Sequence, residues 1–249
     1  MLFILRQLRR LELRKRSGQY FVYAIGEIFL VVIGILLALQ INNWNQARID
    51  RASEQFYLQQ LLGELESDRP SLQKDFDGLQ AKPAVIKTFL AELDRENNRE
   101  AFNLAFEDYI NTVLSVPYFR PNSSTFDELK SNGKLEIIQD RDLRNQVVRF
   151  YNDYEELSRI SEININFITS MDIDLSYNFG AAKFIREQRS VFNERISPED
   201  IYKLKSSRQV LENHAANQHW VAVDMAPAFE KQIRFLDDLI SQIKLELGK

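Results

Sequence analysis

The feature that most constrains this chain is an apolar run near its N-terminus, YFVYAIGEIFLVVIGILLALQI, at residues 20–41. Every residue in it except Glu27 and Gln40 is apolar, aromatic or Gly. A helix of this length rises about 33 Å, and the core of a bilayer is about 30 Å thick. The run therefore predicts a membrane-spanning helix. Because the apolar region of a cleaved signal peptide is shorter, roughly 7–15 residues, we expect an uncleaved signal anchor.

Charge around the run predicts its orientation. The net charge of −4 divides into +5 over residues 1–16, where six Lys and Arg residues meet one Glu, and −9 over the remainder. The positive-inside rule then places the N-terminus in the cytoplasm and the larger C-terminal part outside it. Aromatic residues flank the run at positions typical of interfacial belts: Tyr20, Tyr23 and Trp44. An acidic remainder without a basic stripe argues against nucleic-acid binding.

The organisation that follows has three parts, a leader at residues 1–17, the anchor at 18–43 and an exported domain at 44–249. Apolar residues in the leader recur at the spacing of one helical face: Met1, Ile4, Leu5, Leu8 and Leu11. This spacing favours a separate amphipathic helix on the inner leaflet, with Gly18 as the bend into the span. The alternative is a disordered basic tail that only sets the topology.

Glu27 is the one carboxylate inside the apolar run. At about 100° per residue, four residues fall within about 60° of one another on the helix: Tyr20, Glu27, Gly34 and Ala38. Small residues four apart allow a second helix to approach closely. We interpret this set, the association stripe, as a helix–helix contact in which Glu27 bonds to a second copy or a partner span. The alternative is positional, since Glu27 is near enough to the cytoplasmic headgroups to reach them at little cost.

Beyond the anchor, the pattern predicts helices. Only 8 Gly and 6 Pro occur in 249 residues, which disfavours a turn-rich sheet architecture. Steps of 4 and 3 from Leu58 to Leu93 meet mostly apolar residues and predict one long helix across both of its prolines: Leu58, Leu62, Leu65, Arg69, Leu72, Phe76, Leu79, Pro83, Ile86, Leu90 and Leu93. The fold class we expect is all-α, a single N-terminal transmembrane helix followed by an elongated antiparallel helical bundle.

Further helices are predicted after this one. A short helix is expected near residues 106–116, and Thr125 with Glu128 has the spacing of a capping box. Heptad spacing also predicts a long helix from Asp140 to Gly180, with Leu143, Val147, Phe150, Tyr154 and Leu157 in its seam. A last seam runs from Phe229 to Leu247, with Pro227 either kinking or starting its helix.

Two stretches resemble a known family. The first is YAIGEI followed by LVVIGILLALQINNWN, behind a short basic leader, and the second is STFDELKSNGKLEIIQDRDLRNQVVRFYNDY at residues 123–154. The second follows a pattern T-x-x-E-L-x-S-x-G-x-L-x-x-I. Together they resemble an uncharacterised family of bacterial proteins known only as a domain of unknown function. The resemblance implies a bacterial single-pass protein, hence an inner-membrane anchor with its C-terminal domain in the periplasm, and it implies no activity.

The residues that usually carry chemistry are sparse. The absence of Cys excludes disulfides, thiolate metal sites and a cysteine nucleophile. His214 and His219 are five apart and therefore lie on different helix faces, so we expect surface residues and no metal site. Ser131 and Lys134 match an S-x-x-K pattern without its companion motifs, and we interpret them as part of a turn. We expect no cofactor and no enzymatic activity.

An aromatic cluster is the first place to look for a pocket. Its residues surround the start of the second long helix: Tyr118, Phe119, Phe150, Tyr151 and Tyr154. Such a cluster is more often part of a core than a ligand cage. The sequence leaves the identity of any ligand open.

The function that this sequence favours is membrane-anchored interaction. We expect a bitopic protein in the lipid bilayer whose exported domain binds a ligand or protein, and which forms a homo-oligomer or pairs with another membrane protein. A first alternative is an accessory subunit of a membrane complex that uses Glu27 as a proton-responsive group. An extracytoplasmic hydrolase acting through Ser131 or His219 is disfavoured, because no nucleophile–base pair accompanies them.

Overall fold

All regular structure in the described part of the chain is helical. The computed structural model describes residues 2–95, 99–115, 117, 119–186, 191 and 198–248. The α-helices are α1 Leu2–Leu93, α2 Arg99–Val113, α3 Ser124–Ser131, α4 Arg141–Phe179, α5 Pro198–Ser206 and α6 Arg208–Glu246. Two short 3₁₀ helices, Leu135–Ile137 and Ala181–Phe184, complete the set. The all-α prediction is confirmed.

The chain divides into two compact units, Met1–Gln55 and Phe56–Lys249. In the first unit, every side chain from Ile25 to Arg51 that the structure describes is exposed. Helix α1 is long and apolar enough in this part to cross a membrane. Apolar side chains exposed all round a helix are typical of a surface that faces lipid rather than a protein core.

Helix α1 runs without interruption from Leu2 to Leu93. The prediction of one helix across Pro70 and Pro83 is confirmed, since both prolines lie inside α1. The prediction of a separate leader helix ending at Gly18 is wrong, because the same helix continues through that residue. A glycine inside a helix costs about 1 kcal/mol relative to alanine. Good helix formers on both sides of Gly18 can offset this cost.

The second unit buries a different seam of α1 from the predicted one. Every seventh residue from Leu58 is buried as expected: Leu58, Leu65, Leu72, Leu79, Ile86 and Leu93. Between these residues, Leu62 is also buried as predicted. After Leu62, however, the buried residues lie one position before the predicted ones, at Asp68, Lys82 and Phe89. The predicted Arg69, Pro83 and Leu90 are only partly buried. Asp68 and Lys82 are charged, and for that reason a pattern of apolar residues does not predict that they are buried.

The boundaries of α4 follow from local signals. Asp140 is its N-cap, and its carboxylate accepts a hydrogen bond from the backbone N–H of Leu143 at 2.8 Å. Gly180 ends it at φ +66°, the left-handed conformation that favours glycine. Both predicted ends are therefore confirmed. All five predicted seam residues of α4 are buried, and Ile168 and Leu175 continue the buried seam toward its end.

Two other predicted boundaries are wrong. Helix α2 begins at Arg99 rather than near Phe106 and ends at Val113. Helix α6 begins at Arg208, so Pro227 lies inside the helix and does not start it, whereas the alternative that it kinks the helix stays a prediction. Pro227 is exposed, and on the solvent side the carbonyl left without its N–H partner can bond to water.

Contacts within the second unit order its long helices. Arg69 of α1 pairs with Asp237 of α6 at 2.7 Å, whereas Lys82 further along α1 bonds to Gln218. On α4, Asp153 pairs with Lys231 at 3.4 Å and Asp172 with His214 at 2.7 Å. Residue numbers on α6 fall as those on α1 and α4 rise. The chain of α6 therefore runs opposite to both of its neighbours in these contacts.

Candidate functional site

Two of the predicted aromatic residues line a groove between α3 and α4. Tyr151 and Tyr154 line it, and the ring of Phe119 packs edge-on against Tyr154 with centroids 5.1 Å apart. Phe150 turns instead toward α6, where its ring meets Phe235 at 5.6 Å. Tyr118 lies outside the described residues. The aromatic cluster is thus divided between the groove wall and the core.

The groove has a volume of about 850 Å³ and a mixed charge. Its basic residues are Arg120, Lys130 and Arg159, and its acidic residues are Asp127, Glu155, Glu156 and Glu162. Some of these charges already pair within the groove, since Arg159 donates to both oxygens of Glu156 at 2.6 and 3.0 Å. Its chemistry suits a ligand that presents both charged and aromatic or apolar groups.

The side chains of both groove tyrosines are largely buried. The hydroxyl of Tyr154 donates to the carbonyl oxygen of Phe119 at 2.7 Å. Tyr151 stacks on Phe126 with centroids 4.3 Å apart, and its buried hydroxyl has no hydrogen-bond partner among the described residues. Burial raises the pKa of both phenols, and the carboxylates of Glu64 and Asp68 raise the pKa of Tyr151 further. Both hydroxyls therefore stay protonated at neutral pH.

Helix α3, which forms one wall of this groove, is attached to α1 by carboxylates. Glu64 of α1 accepts hydrogen bonds from the backbone N–H and the hydroxyl of Thr125, at 3.1 and 2.7 Å. Asp68, one turn along, accepts from the backbone N–H of Asn122 at 2.8 Å. Negative groups are favourable at the start of a helix. Burial raises the pKa of Asp68, although its bond to Asn122 opposes the shift.

The capping-box prediction is consequently wrong. Thr125 is inside α3, whose N-cap is Ser123. The carboxylate of Glu128 accepts from the hydroxyl of Tyr57 at 2.8 Å rather than turning back on its own helix. The orphan N–H of Thr125 is satisfied by Glu64, a residue 61 positions away. A local sequence motif cannot reveal a cap that another helix supplies.

The rest of the resembling motif also has structural roles. Leu129 and Ile138 are fully buried in the core. The hydroxyl of Ser131 donates to the carbonyl oxygen of Glu128 at 3.2 Å. Gly133, at φ +62°, makes the turn in which the N–H of Lys134 bonds to Leu129. The S-x-x-K match thus falls on a helix end and its turn, as the sequence predicts.

A second site, which the sequence did not indicate, is a buried polar layer of five side chains from four helices. Its members are Lys82 of α1, Tyr109 of α2, Asp172 of α4, and His214 and Gln218 of α6. The ammonium of Lys82 donates to the side-chain oxygen of Gln218 and to the carbonyl oxygen of Val113, both at 3.0 Å. The amide nitrogen of Gln218 then donates to Asp172 at 3.0 Å.

His214 connects the other end of this polar layer. Its Nδ1 lies 2.5 Å from the hydroxyl of Tyr109, and its Nε2 lies 2.7 Å from the same oxygen of Asp172 that Gln218 reaches. Burial, followed by the charge of Asp172, raises the pKa of Tyr109, so its phenol stays protonated at neutral pH. Both ring nitrogens of His214 therefore have a hydrogen-bond partner inside the layer.

The polar layer separates two apolar clusters. On α1, Lys82 lies between Leu79 of the first cluster and Ile86 of the second. On α4, Asp172 likewise lies between Ile168 of the first cluster and Leu175 of the second. On the antiparallel α6 the order is reversed, with Gln218 between Ala215 of the second cluster and Val221 of the first. One cross-section of the unit is therefore polar, and apolar cores lie on both sides of it.

Burial acts strongly on Lys82. Its side chain is 1% exposed, and this burial lowers the pKa of its ammonium to about 8, although the charge of Asp172 favours the protonated form. At neutral pH Lys82 is thus still mostly an ammonium, and the amide of Gln218 links it to the side chain of Asp172. A buried charge is tolerated when it is paired and hydrogen-bonded, and both conditions are met here.

The prediction that both histidines lie on the surface is half wrong. His219 is exposed and lines a shallow groove between α1 and α6, whereas His214 is 4% exposed. The two residues do lie on different faces of α6, as their spacing predicts. The burial of His214 could have been predicted from its position in the α6 seam, between Leu211 and Gln218. The predicted seam began only at Phe229 and did not reach it.

The association stripe lies on the exposed part of α1. Glu27, Gly34 and Ala38 are exposed. A Cβ atom added at Gly26 or Gly34 would have no other atom within 4 Å. Glu27 borders a shallow groove with Ile28, Val31 and Val32. Tyr20 lies in the helical backbone of α1. The stripe therefore remains a prediction.

Among the described residues, no group of three or more His, Asp or Glu side chains is arranged to hold a metal ion. The observations instead define a class: an all-helical protein with one candidate membrane-spanning helix and a packed helical domain. The family model for the DUF6090 family, a family of unknown function, matches residues 27–165, and the chain belongs to this family. Neither a curated protein nor a solved structure matches the chain.

The matched region contains the second stretch of the resemblance and all of the first except residues 23–26. It begins at Glu27 in the candidate span and ends inside α4. The whole α3/α4 groove lies within it, from Arg120 to Glu162. The polar layer does not, since Asp172, His214 and Gln218 follow its last residue.

Proposed function

We propose that this protein is a bitopic membrane protein whose helical domain acts outside the cytoplasm as an interaction module. The observation that carries the proposal is the exposed apolar surface of α1. From Ile25 to Ile41 every side chain is exposed, and only Glu27 and Gln40 are polar. In water such a surface is highly unfavourable, at roughly 25 cal/mol for each Å² of apolar area. A lipid bilayer removes that cost.

The helical domain suits a binding role. Its helices form an antiparallel bundle, in keeping with the opposite direction of α6 in its contacts with α1 and α4. The α3/α4 groove on its surface is where a ligand or partner protein would bind, since it combines two fixed tyrosine rings with charges of both signs. The protein is not an enzyme in this proposal, and it uses no cofactor.

The topology rests on the charge distribution. Six basic residues precede the span, so the leader stays in the cytoplasm of a bacterial cell and the domain lies in the periplasm. Because the chain has no Cys, a single introduced cysteine reports its own side of the membrane. In intact cells, an impermeant maleimide should label Ser158→Cys in the groove and leave Arg16→Cys unlabelled until the cells are lysed. The opposite labelling pattern would refute this topology.

Association in the membrane is proposed to use the stripe. Gly34 and Ala38 let two helices approach, and Glu27 supplies a hydrogen bond that is favourable where water is absent. Cross-linking in membranes should give dimers for the wild type and several-fold fewer for Gly34→Leu or Glu27→Leu. The matched control is Leu36→Ile, a change on another face of the same helix. Unchanged cross-linking in all variants would defeat the role of the stripe.

The accessory-subunit alternative gives a different result. If Glu27 responds to protons in a complex with a multi-span protein, then Glu27→Gln should impair that complex while leaving self-association intact. Purification of the intact chain from membranes, with and without this change, separates the two. Recovery of a multi-span partner that depends on the Glu27 carboxylate would favour the alternative over self-association.

A further inference from the structure

The second half of α4 buries several polar residues and exposes several apolar ones. Between residues 160 and 173, its buried side carries Ser161, Asn164 and Asp172 beside the apolar Ile168. The exposed side carries apolar residues: Ile160, Ile163 and Phe167 at 38%, 57% and 46% exposure. These three fall at i, i+3 and i+7, which is the spacing of one helical face. A helix in water normally has the opposite arrangement.

Helix α6 continues this exposed face. Trp220 and Val223 are 54% and 51% exposed, and the ring of Trp220 meets that of Phe167 edge-on with centroids 6.2 Å apart. The five residues form one surface across two helices, which we call the outer strip. Exposed charged residues lie at both ends of this face on α4, since Glu156 precedes Ile160 by four residues and Asp174 follows Phe167 by seven.

The size of the outer strip matches the centre of an interface. Its side chains expose on the order of 400 Å² of apolar surface, given the areas typical of their types. The largest apolar patch on a typical monomer is about 300–600 Å² and is often functional. A stable dimer buries about 800 Å² on each partner, with an apolar centre and a polar rim. The strip would supply about half of that area.

We propose that the outer strip is a dimer interface and that its occupant is the strip of a second copy of this chain. A surface of aliphatic and aromatic residues is complementary to itself, as a two-fold symmetric contact requires, and the charged residues at its ends suit the polar rim of such a contact. Copies anchored in one membrane meet at a higher effective concentration than free copies in solution. The second argument rests on the proposed membrane anchoring, and the first does not.

The absence of cysteine allows a direct test. Single cysteines placed in turn at the five strip positions are oxidised mildly in membranes that contain the intact chain. A disulfide requires Cα atoms within about 7 Å of each other, so at least one strip position should give a covalent dimer. We expect at least tenfold more dimer than for Leu104→Cys, a matched control at an exposed leucine of α2. Equal yields at the strip and at Leu104 would overturn the proposal.

A second variant shows whether the contact is apolar. Trp220→Glu, added to the best cross-linking cysteine variant among the other four strip positions, should reduce the dimer several-fold while the circular dichroism spectrum stays helical. A strip cysteine that is shielded from maleimide in membranes but forms no dimer would show a different occupant and overturn the assignment to a second copy. Gly34→Cys distinguishes this result from the proposed function. If it cross-links while the strip does not, the membrane association stands and only the strip is refuted.

Discussion

The two halves of α4 differ in the side chains that they bury and expose. In the first half, Val147, Phe150 and Tyr154 are buried, whereas Asn152 and Glu155 face outward. In the second half, Asn164 and Asp172 are buried while Ile163 and Phe167 are exposed. One helix thus meets two requirements. Its first half stabilises the unit by apolar burial, and its second half joins helices through hydrogen bonds and offers an apolar surface to a partner.

Apolar and polar burial also contribute differently to stability and to the specificity of the fold. An apolar core accepts many arrangements of similar volume, but a buried polar group accepts only those in which its partner is present. The five side chains of the polar layer come from four helices, so sliding one helix by a turn would leave several of them unpaired. We infer that the layer sets the register of α1, α4 and α6.

The largest expected effect tests the apolar half. Phe150→Ala should lower the free energy of unfolding by about 3–5 kcal/mol, because it opens a cavity in a tightly packed core. Phe167→Ala on the same helix should cost about 1 kcal/mol or less, since its ring is nearly half exposed. Urea unfolding of the full chain in dilute detergent, followed by circular dichroism, measures both. Equal losses would erase the difference between the two halves.

The next effect tests the polar layer. Lys82→Met should lower the free energy of unfolding by about 3 kcal/mol, because it leaves Asp172 without its cation and the oxygens of Gln218 and Val113 without a donor. Lys87→Met, five residues further along α1 and exposed, is the matched control and should change little. The same urea titration applies. Similar midpoints for the two variants would show that the layer contributes nothing to stability.

The pH dependence of that difference is the third test. The pKa of Lys82 falls from 10.5 to about 8 on folding, so between these values the unfolded chain binds more protons than the folded one. Stability due to this group therefore rises with pH over that interval, is complete above about 10.5 and is lost as pH falls through 8. The cost of Lys82→Met should grow by about 2–3 kcal/mol from pH 7 to pH 10.5.

Comparison of the wild type with the Lys82→Met variant at each pH removes the contribution of other groups that titrate in the same range. The wild type should gain stability relative to the variant as pH rises. A difference that stays constant, or that shrinks, would mean that Lys82 is not an ammonium buried among these partners.

The smallest expected effect concerns Ser161, a buried polar residue outside the polar layer. Ser161 is buried, but its hydroxyl donates only to the carbonyl oxygen of Leu157 in the same helix, at 2.8 Å. Ser161→Ala removes this local bond and gains helix propensity, so stability should change by no more than about 0.5 kcal/mol. A loss above about 1.5 kcal/mol in the same measurement would show that buried polarity matters even without a contact between helices.

Particular residues show why the sequence predicted part of this fold and missed the rest. The ends of α4 could be predicted, since Asp140 and Gly180 act on the nearest turn. The cap of α3 could not, because Glu64 supplies it from another helix. His214 was expected on the surface for a similar reason: a lone polar residue in a seam is favourable only when Tyr109 and Asp172 meet it there.

By itself, the sequence determined the candidate span, the helical class and the helix that continues through two prolines. These depend on composition, periodicity and capping, which act within a few turns. The tertiary structure decided which face of α1 is buried, that Lys82 and Asp172 share one layer, and that Phe167 and Trp220 form an exposed strip. Burial of a polar group depends on partners from distant parts of the chain, and only the folded arrangement brings those partners together.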